Sequence, residues 1–178
     1  MRLKDAIRPT IRLAIADDLP VLQAIEIAAG AAFADLGMDL VAGDEPATIA
    51  TLLGYVADGR AWVAIDAESR PCGYLLAEIV DDCAHIEQVS VHPDFRGRRI
   101  GRDLIDHCEN WARAAGLPAM TLTTYRDVAW NGPYYELLGF AYLADATPGL
   151  REIRRREAAA GLDAWPRACM RRAISSAR

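Results

Sequence analysis

The sequence predicts a mixed α/β (α+β) fold in a single domain: a mostly antiparallel central sheet of about six or seven strands, flanked by helices on both faces. Three observations lead there. Short alternating apolar runs interchange with longer runs of helical period, and no repeat or low-complexity tract interrupts them. Three of the strands follow one another across turns too short for a crossover, which makes an antiparallel meander. A later strand–helix–strand unit requires two strands that run parallel or nearly so, which makes the sheet mixed. At 178 residues and 52% apolar, the chain is long enough to bury one substantial core. The domain is expected to span 1–178, with a core over 11–143 and a C-terminal helix and closing strand over 144–178.

The elements follow in order. "TIRLAIA" (Thr10 to Ala16) alternates like a short strand, and "DDLPVLQAIEIAAGAAFADL" continues as a helix with an acidic start and Pro20 in its first turn. "GMDLVAGDEP" is rich in Gly and Asp and reads as a loop. Asp44 is placed to cap a second helix, "EPATIATLLGYVADG", that ends at Gly59. The meander comprises "RAWVAID", "CGYLLAEIVD" and "AHIEQVSVH", separated by "AESRP" and "DDC". From Gly101, the set Leu104, Ile105, Cys108, Trp111, Ala112 and Ala115 has helical spacing, and Gly116 closes it. "AMTLTTY" is a strand, "WNGPYYELLGF" a short helix stopped by Gly139, and "FAYLA" a further strand. Pro148 opens the charged helix "GLREIRRREAAAG", and "RACMRRAI" forms the closing strand.

Composition excludes several classes. Cys72, Cys83, Cys108 and Cys169 are scattered without a C-x-x-C pair and read as thiols of a reducing compartment. His85, His92 and His107 have no ligand spacing with them, so no metal site is expected. No run of about 18 apolar residues suggests a membrane span. The start "MRLKDAIRPT" lacks an apolar signal core, so a cytoplasmic chain is expected. A net charge of −5 argues against a general nucleic-acid surface.

Against that acidic background, "SVHPDFRGRRIGRDLI" (Ser90 to Ile105) places Arg96, Arg98, Arg99 and Arg102 around Gly97 and Gly101, directly ahead of a helix. A charge run is usually a solvated face. Here, glycines at a helix start let backbone N–H groups converge on an anion at the positive end of the helix dipole. The preceding strand should be a parallel neighbour of the one starting near Ala119, and ligands of such sheets sit beyond the carboxyl ends of the strands. The ligand is therefore expected to be a small molecule bearing an anion.

"EQVSVHPDFRGRRIGRDLI" followed by "YYELLGF" resembles the GNAT superfamily of acyl-CoA-dependent N-acyltransferases, over roughly Ile11 to Phe140. The family's pyrophosphate loop reads Arg/Gln-x-x-Gly-x-Gly/Ala. Arg96 and Gly101 fill its first and last places, and Arg99 stands where the first glycine is usual. The resemblance implies acetyl-CoA as acyl donor. Gly97 to Arg102 would cradle its pyrophosphate, and Arg98, Arg99 and Arg102 would add charge-assisted hydrogen bonds. It also implies pantetheine lying along "IEQVSVH", with backbone contacts at Val89 and Val91, whose alternating side chains read equally as core. The tyrosine four residues before Gly-Phe is Tyr135, which the resemblance makes the general acid toward the leaving thiolate. Tyr134 reads as packing or acceptor-site lining. The asparagine common seven residues before that tyrosine is replaced by Val128, and Asn131 is carried over in its stead as a cofactor-binding candidate.

Transfer to an amine also requires a base. Glu87 lies on the same strand four residues before Val91, where partial burial would raise its pKa, and it matches a glutamate that acts as base in some relatives. Its other reading is a surface carboxylate. His85 and His92 are further candidate bases, each read as solvent-facing or capping. Phe33, Leu36, Met38 and Leu40 beside Asp35, Asp39, Asp44 and Glu45 suit either an amine-binding slot or a solvated acidic loop. The expected partners are acetyl-CoA and a small primary amine. "REIRRRE" reads as a solvated face that could also serve a homodimer contact. A protein or peptide N-acetyltransferase and a non-catalytic CoA-binding regulatory module are the alternatives.

Overall fold

The structure, a computed structural model, describes residues 9–175. Seven strands hydrogen-bond in the order β1-β2-β3-β4-β5-β7-β6. They are β1 (Thr10–Leu13), β2 (Ala61–Ile65), β3 (Pro71–Val80), β4 (Cys83–Val91), β5 (Ala119–Tyr125), β6 (Ala141–Tyr142) and β7 (Arg167–Ala173). The helices are α1 (Leu19–Gly30), α2 (Asp39–Ala42), α3 (Ile49–Ala57), α4 (Ile100–Ala114), α5 (Gly132–Leu137) and α6 (Pro148–Ala159). The described residues cluster into two compact units, one formed by 9–76 with 88–107 and the other by 77–87 with 108–175.

In the first unit, β1 and β2 pair antiparallel from Thr10↔Ile65 to Leu13↔Trp62, and β2 pairs antiparallel with β3. The intervening turn is organised by Asp66, whose carboxylate accepts the Glu68 and Arg70 N–H groups at 3.0 and 2.9 Å. The core gathers Leu19, Leu22 and Ile25 of α1, Leu52 of α3, and Val63, Tyr74 and Leu76 of the sheet. The buried Tyr74 hydroxyl donates to Glu26 at 2.7 Å, so the polar end of that ring keeps a partner.

In the second unit, β4 and β5 are parallel through Ala84↔Met120, His85↔Thr121 and Ile86↔Leu122, as the crossover through α4 requires. The closing strand β7 lies between β5 and β6, antiparallel to both. Leu150 and Ile153 of α6 and Cys169 of β7 form a smaller core with Val80, Leu143 and Ala146. Asp81 and Asp82, at φ 49° and 58°, make the two-residue turn from β3 to β4. Asp81 then accepts the Gly149 N–H at 2.8 Å and the Thr147 hydroxyl, which holds the first turn of α6.

Several expectations need correction. Asp44 does not cap α3: Thr48 does, its Oγ1 accepting the Thr51 N–H at 3.2 Å, because a hydroxyl one residue before the helix reaches what a carboxylate five residues before it cannot. The segment read as loop contains the single turn α2, and "FAYLA" pairs over only Ala141–Tyr142. The helical run Ala16–Leu36, 21 residues with 3-10 turns at both ends, is long and apolar enough by length and composition to cross a membrane. It holds no unbroken apolar run of that length, because Asp17, Asp18, Gln23, Glu26 and Asp35 interrupt it. Its Leu19, Leu22 and Ile25 are buried in the core of the first unit. All four cysteines are free thiols, with Cys72, Cys108 and Cys169 buried.

Candidate active site

The arginine turn belongs to the first unit. Beyond β4, His92 caps a 3-10 turn, Pro93–Phe95, its Nδ1 accepting the Asp94 N–H at 3.3 Å. The capping role read for His92 is therefore the one seen. Gly97 has φ 77° and Arg99 has φ 64°, and the chain enters α4 at Ile100. Two left-handed residues within three turn the backbone sharply into α4, just ahead of its first N–H groups. Those of Ile100, Gly101 and Arg102 head the helix and have no intrahelical acceptor, while the Asp103 N–H closes on the Arg99 carbonyl at 3.0 Å. Arg96, Arg98, Arg99 and Arg102 are all exposed. The Arg98 guanidinium stacks 4.9 Å from the centre of the Phe95 ring, and Arg102 Nε lies 3.6 Å from Asp106.

Close packing fixes the turn. Ile100 is buried, and a Cβ on Gly73 of β3 would lie 3.0 Å from the Ser90 carbonyl oxygen and 3.1 Å from Ile100 Cγ2. Glycine at that position lets β3, the end of β4 and the start of α4 meet. Val89 and Val91 are half-buried on the same stretch of β4.

Glu87, Tyr135 and Asn131 belong to the second unit. Glu87 is the first residue of β4 past the last parallel pair with β5. Its side chain keeps 44% of its accessible surface and so reaches solvent, yet the protein packed around it raises its pKa. Burial is the largest cause; Glu78 and Glu157 push the same way, and Arg156 and Arg167 oppose them. The raised value expected from the sequence is thus found, together with partial exposure.

His85 departs from its reading as solvent-facing or capping. It is 1% exposed, with Nδ1 3.0 Å from Thr121 Oγ1 and Nε2 3.8 Å from Glu87 Oε2. Alternation puts His85 and Glu87 on one face of β4, and the parallel register sets Thr121 beside the imidazole. Burial lowers the His85 pKa to about 4, leaving the ring neutral at physiological pH.

Tyr135 lies on α5, buried, with its ring edge-on to Phe140 at 5.9 Å and to Tyr134 at 5.6 Å. Burial raises its pKa above the ordinary phenol value, with Tyr134 adding and Arg167 opposing. A phenol so placed stays protonated and available as a donor. Gly132 sets the helix start, since a Cβ there would collide with Tyr142 Oη and the Arg126 carbonyl. Asn131 acts through its backbone: its carbonyl accepts the Tyr135 N–H at 2.9 Å, and its side-chain amide donates to the Trp130 carbonyl at 3.2 Å.

The sequence reading missed the ionic group in the second unit. Arg167 of β7 donates to Glu157 of α6 at 2.9 Å and to Thr123 at 3.2 Å, and stacks 4.4 Å from the centre of the Tyr125 ring. It acts electrostatically on both Glu87 and Tyr135. The alternation of Thr121 and Thr123 in "AMTLTTY" was the available signal, a polar face on a strand otherwise buried.

These elements, in this order, are those of a GNAT-type acetyltransferase domain. The chain belongs to the acetyltransferase (GNAT) family, whose model matches residues 32–140. A relative named IAA acetyltransferase, from Azospirillum brasilense, is 36% identical over 70 residues, 39% of this chain and 46% of that one. The chain thus matches less than half the length of that relative. Among solved structures, PaiA N-acetyltransferase from Thermoplasma acidophilum, in complex with coenzyme A, has a TM-score of 0.69 at 15% identity, covering 92% of this chain and 98% of that one. The ribosomal-protein-S18-alanine N-acetyltransferase from Escherichia coli has a TM-score of 0.65 at 19% identity, covering 95% and 96%. At these identities the likeness is one of fold.

Proposed function

We propose that the protein is an acetyl-CoA-dependent N-acetyltransferase acting on a primary amine of a small molecule. The observation that carries this is the arginine turn at the start of α4, with left-handed backbone at Gly97 and Arg99 and the helix-head N–H groups of Ile100, Gly101 and Arg102. That donor set fits a pyrophosphate: converging backbone N–H groups, a positive helix end and exposed guanidinium forks. The family and the coenzyme A complex of the PaiA relative support the same ligand. Arg96, Arg98, Arg99 and Arg102 neutralise the phosphates, and the β4 backbone at Val89 and Val91 offers strand-like hydrogen bonds to the pantetheine arm.

Glu87 takes a proton from the acceptor ammonium, directly or through a water. An amine with a pKa near ~10 is almost wholly protonated at neutral pH, and a carboxylate of raised pKa is a stronger base than an ordinary one. The freed nitrogen lone pair attacks the thioester carbonyl, the carbon–sulfur bond breaks, and Tyr135 donates its proton to the departing thiolate. No covalent enzyme intermediate is required, since orientation of the two substrates suffices. A small acceptor is favoured by the apolar and acidic residues of the α1–α3 segment, Phe33, Leu36 and Leu40 with Asp35, Asp39 and Asp44.

Calorimetric titration with coenzyme A tests the ligand assignment. Arg98→Ala with Arg99→Ala is expected to weaken binding at least tenfold at low salt, with a smaller difference at high salt. Equal affinity in the double variant would remove the arginine turn as the phosphate site.

A further inference from the structure

The ionised form of Glu87, the form that takes up a proton, has an unfavourable electrostatic setting. The charged groups acting on it come from β3 (Glu78), α6 (Arg156 and Glu157) and β7 (Arg167), and the titratable neighbour on its own strand is His85. Two of these are carboxylates, which disfavour a third negative charge. Two cations, Arg156 and Arg167, oppose them, and Arg167 already binds Glu157 and Thr123. The group that points at the carboxylate is the imidazole, Nε2 to Oε2 at 3.8 Å.

We propose, on the reading of Glu87 as the base, that His85 is a positioning residue: Thr121 fixes the ring, and the ring's Nε2–H steadies the Glu87 carboxylate. The donor pattern selects the tautomer. A carboxylate only accepts, so the nitrogen facing it must carry the hydrogen, and the Thr121 hydroxyl then donates to Nδ1 at 3.0 Å. Thr121 and His85 are both buried, away from bulk solvent. The ring cannot swing away, whereas Glu87 is partly exposed and free to move. A shift of under about 1 Å at its carboxylate brings the pair to hydrogen-bond distance. The ring is neutral in its buried place, so it supplies a hydrogen bond without adding a proton that could compete with the one drawn from the acceptor. When the carboxylate takes that proton, its other oxygen still accepts from Nε2–H, and the pair survives the step.

The test follows the Glu87 carboxyl by carbon-13 NMR titration of the full-length protein, with the signal assigned by its loss in Glu87→Gln. His85→Asn keeps an amide near Thr121 but does not reach Glu87, and should raise the Glu87 midpoint by roughly 0.5–1 pH unit, the worth of one hydrogen bond. His85→Gln places an amide donor near the Nε2 position and should keep the midpoint close to the parent. Thr121→Val removes the anchoring hydroxyl with little change of shape, so it should move the midpoint the same way if His85→Asn fails to fold. The acid limb of kcat/KM should move with the NMR midpoint. An unchanged midpoint in His85→Asn, or in Thr121→Val where the first does not fold, would overturn the proposal. So would a loss of rate by one constant factor at every pH without a midpoint shift. A midpoint that moves while the kcat/KM limb stays put would keep the His85–Glu87 pairing and remove Glu87 as the base.

Discussion

Arg99→Gly should make the protein more stable and a weaker binder of coenzyme A at the same time. Arg99 holds φ 64°, at the place where the loop pattern it resembles has its first glycine. A side chain in that left-handed conformation costs about 1–2 kcal/mol, because Cβ crowds the following carbonyl. Glycine removes this cost and gives back some through the greater freedom of the unfolded chain, about 0.5–1 kcal/mol. The balance is a gain of about 1 kcal/mol, or ~2–4 °C in Tm for a chain of this size. Binding moves the other way: loss of one charge-assisted contact, worth about 1.5–3 kcal/mol before screening, weakens the complex roughly 10- to 150-fold. Arg99→Lys separates the two effects, since it keeps the strain and the charge but loses the fork. Thermal melts followed by circular dichroism read the first effect, and calorimetry at two salt concentrations reads the second. A variant Arg99→Gly that melts below the parent would refute the strain argument. One that binds coenzyme A as tightly as the parent at low salt would refute the reason for keeping arginine there.

Further outcomes are expected. Tyr135→Phe keeps the ring contacts with Phe140 and Tyr134, so coenzyme A affinity should hold while kcat falls about 10²–10⁴-fold; an unchanged kcat would make Tyr135 a packing residue. Glu87→Gln should lower kcat/KM most at pH 6–7 and recover in part above pH 9, where more of the acceptor is already neutral. A uniform drop at every pH would make Glu87 structural. The control for that profile is Glu68→Gln, an exposed carboxylate of the β2–β3 turn, which should leave it unchanged. His85 titrates near 4 when folded and near 6.5 when unfolded, so the unfolded chain takes the proton first. Its contribution is complete above about pH 6.5 and is lost as pH falls toward 4, roughly 3 kcal/mol in all. Urea unfolding across that range should show the slope in the parent and lose most of it in His85→Gln. Gly132→Ala should destabilise strongly, because a methyl there meets Tyr142 and the Arg126 carbonyl; a melt within a degree of the parent would contradict the packing described.

What the sequence revealed follows from how local each signal is. The meander, α4 and β5 were legible because their periodicities are long and their stops are glycines and short turns. The arginine turn was legible for the same reason: Arg96 to Arg102 and the helix behind it are contiguous. Even its departure from the family pattern was visible, although the strain at Arg99 needed the backbone angle. The surroundings of Glu87 were not legible. Glu78, Thr121, Glu157 and Arg167 come from β3, β5, α6 and β7, far apart in sequence, and Arg167 and Thr123 meet only because β7 lies beside β5. His85 was misread because an imidazole on a strand looks the same in sequence whether it faces water or a threonine on the next strand. Asp44 was misread because position outweighs propensity: Thr48, a weaker capping residue than aspartate, stands next to the helix and Asp44 does not.

The most direct measurement is thiol release from acetyl-CoA by the purified protein across amines, polyamines, amino acids, aminoglycosides and peptide N-termini, with Glu87→Gln and the Arg98→Ala, Arg99→Ala variant run alongside. Release that depends on a small amine and saturates with it, falls in Glu87→Gln at neutral pH, and shows a raised KM for acetyl-CoA in the arginine variant is the result predicted for an N-acetyltransferase with the roles assigned. Saturable binding of acetyl-CoA with no acceptor-dependent release from any member of the panel would contradict it, and would make the chain a CoA-binding module that does not turn over.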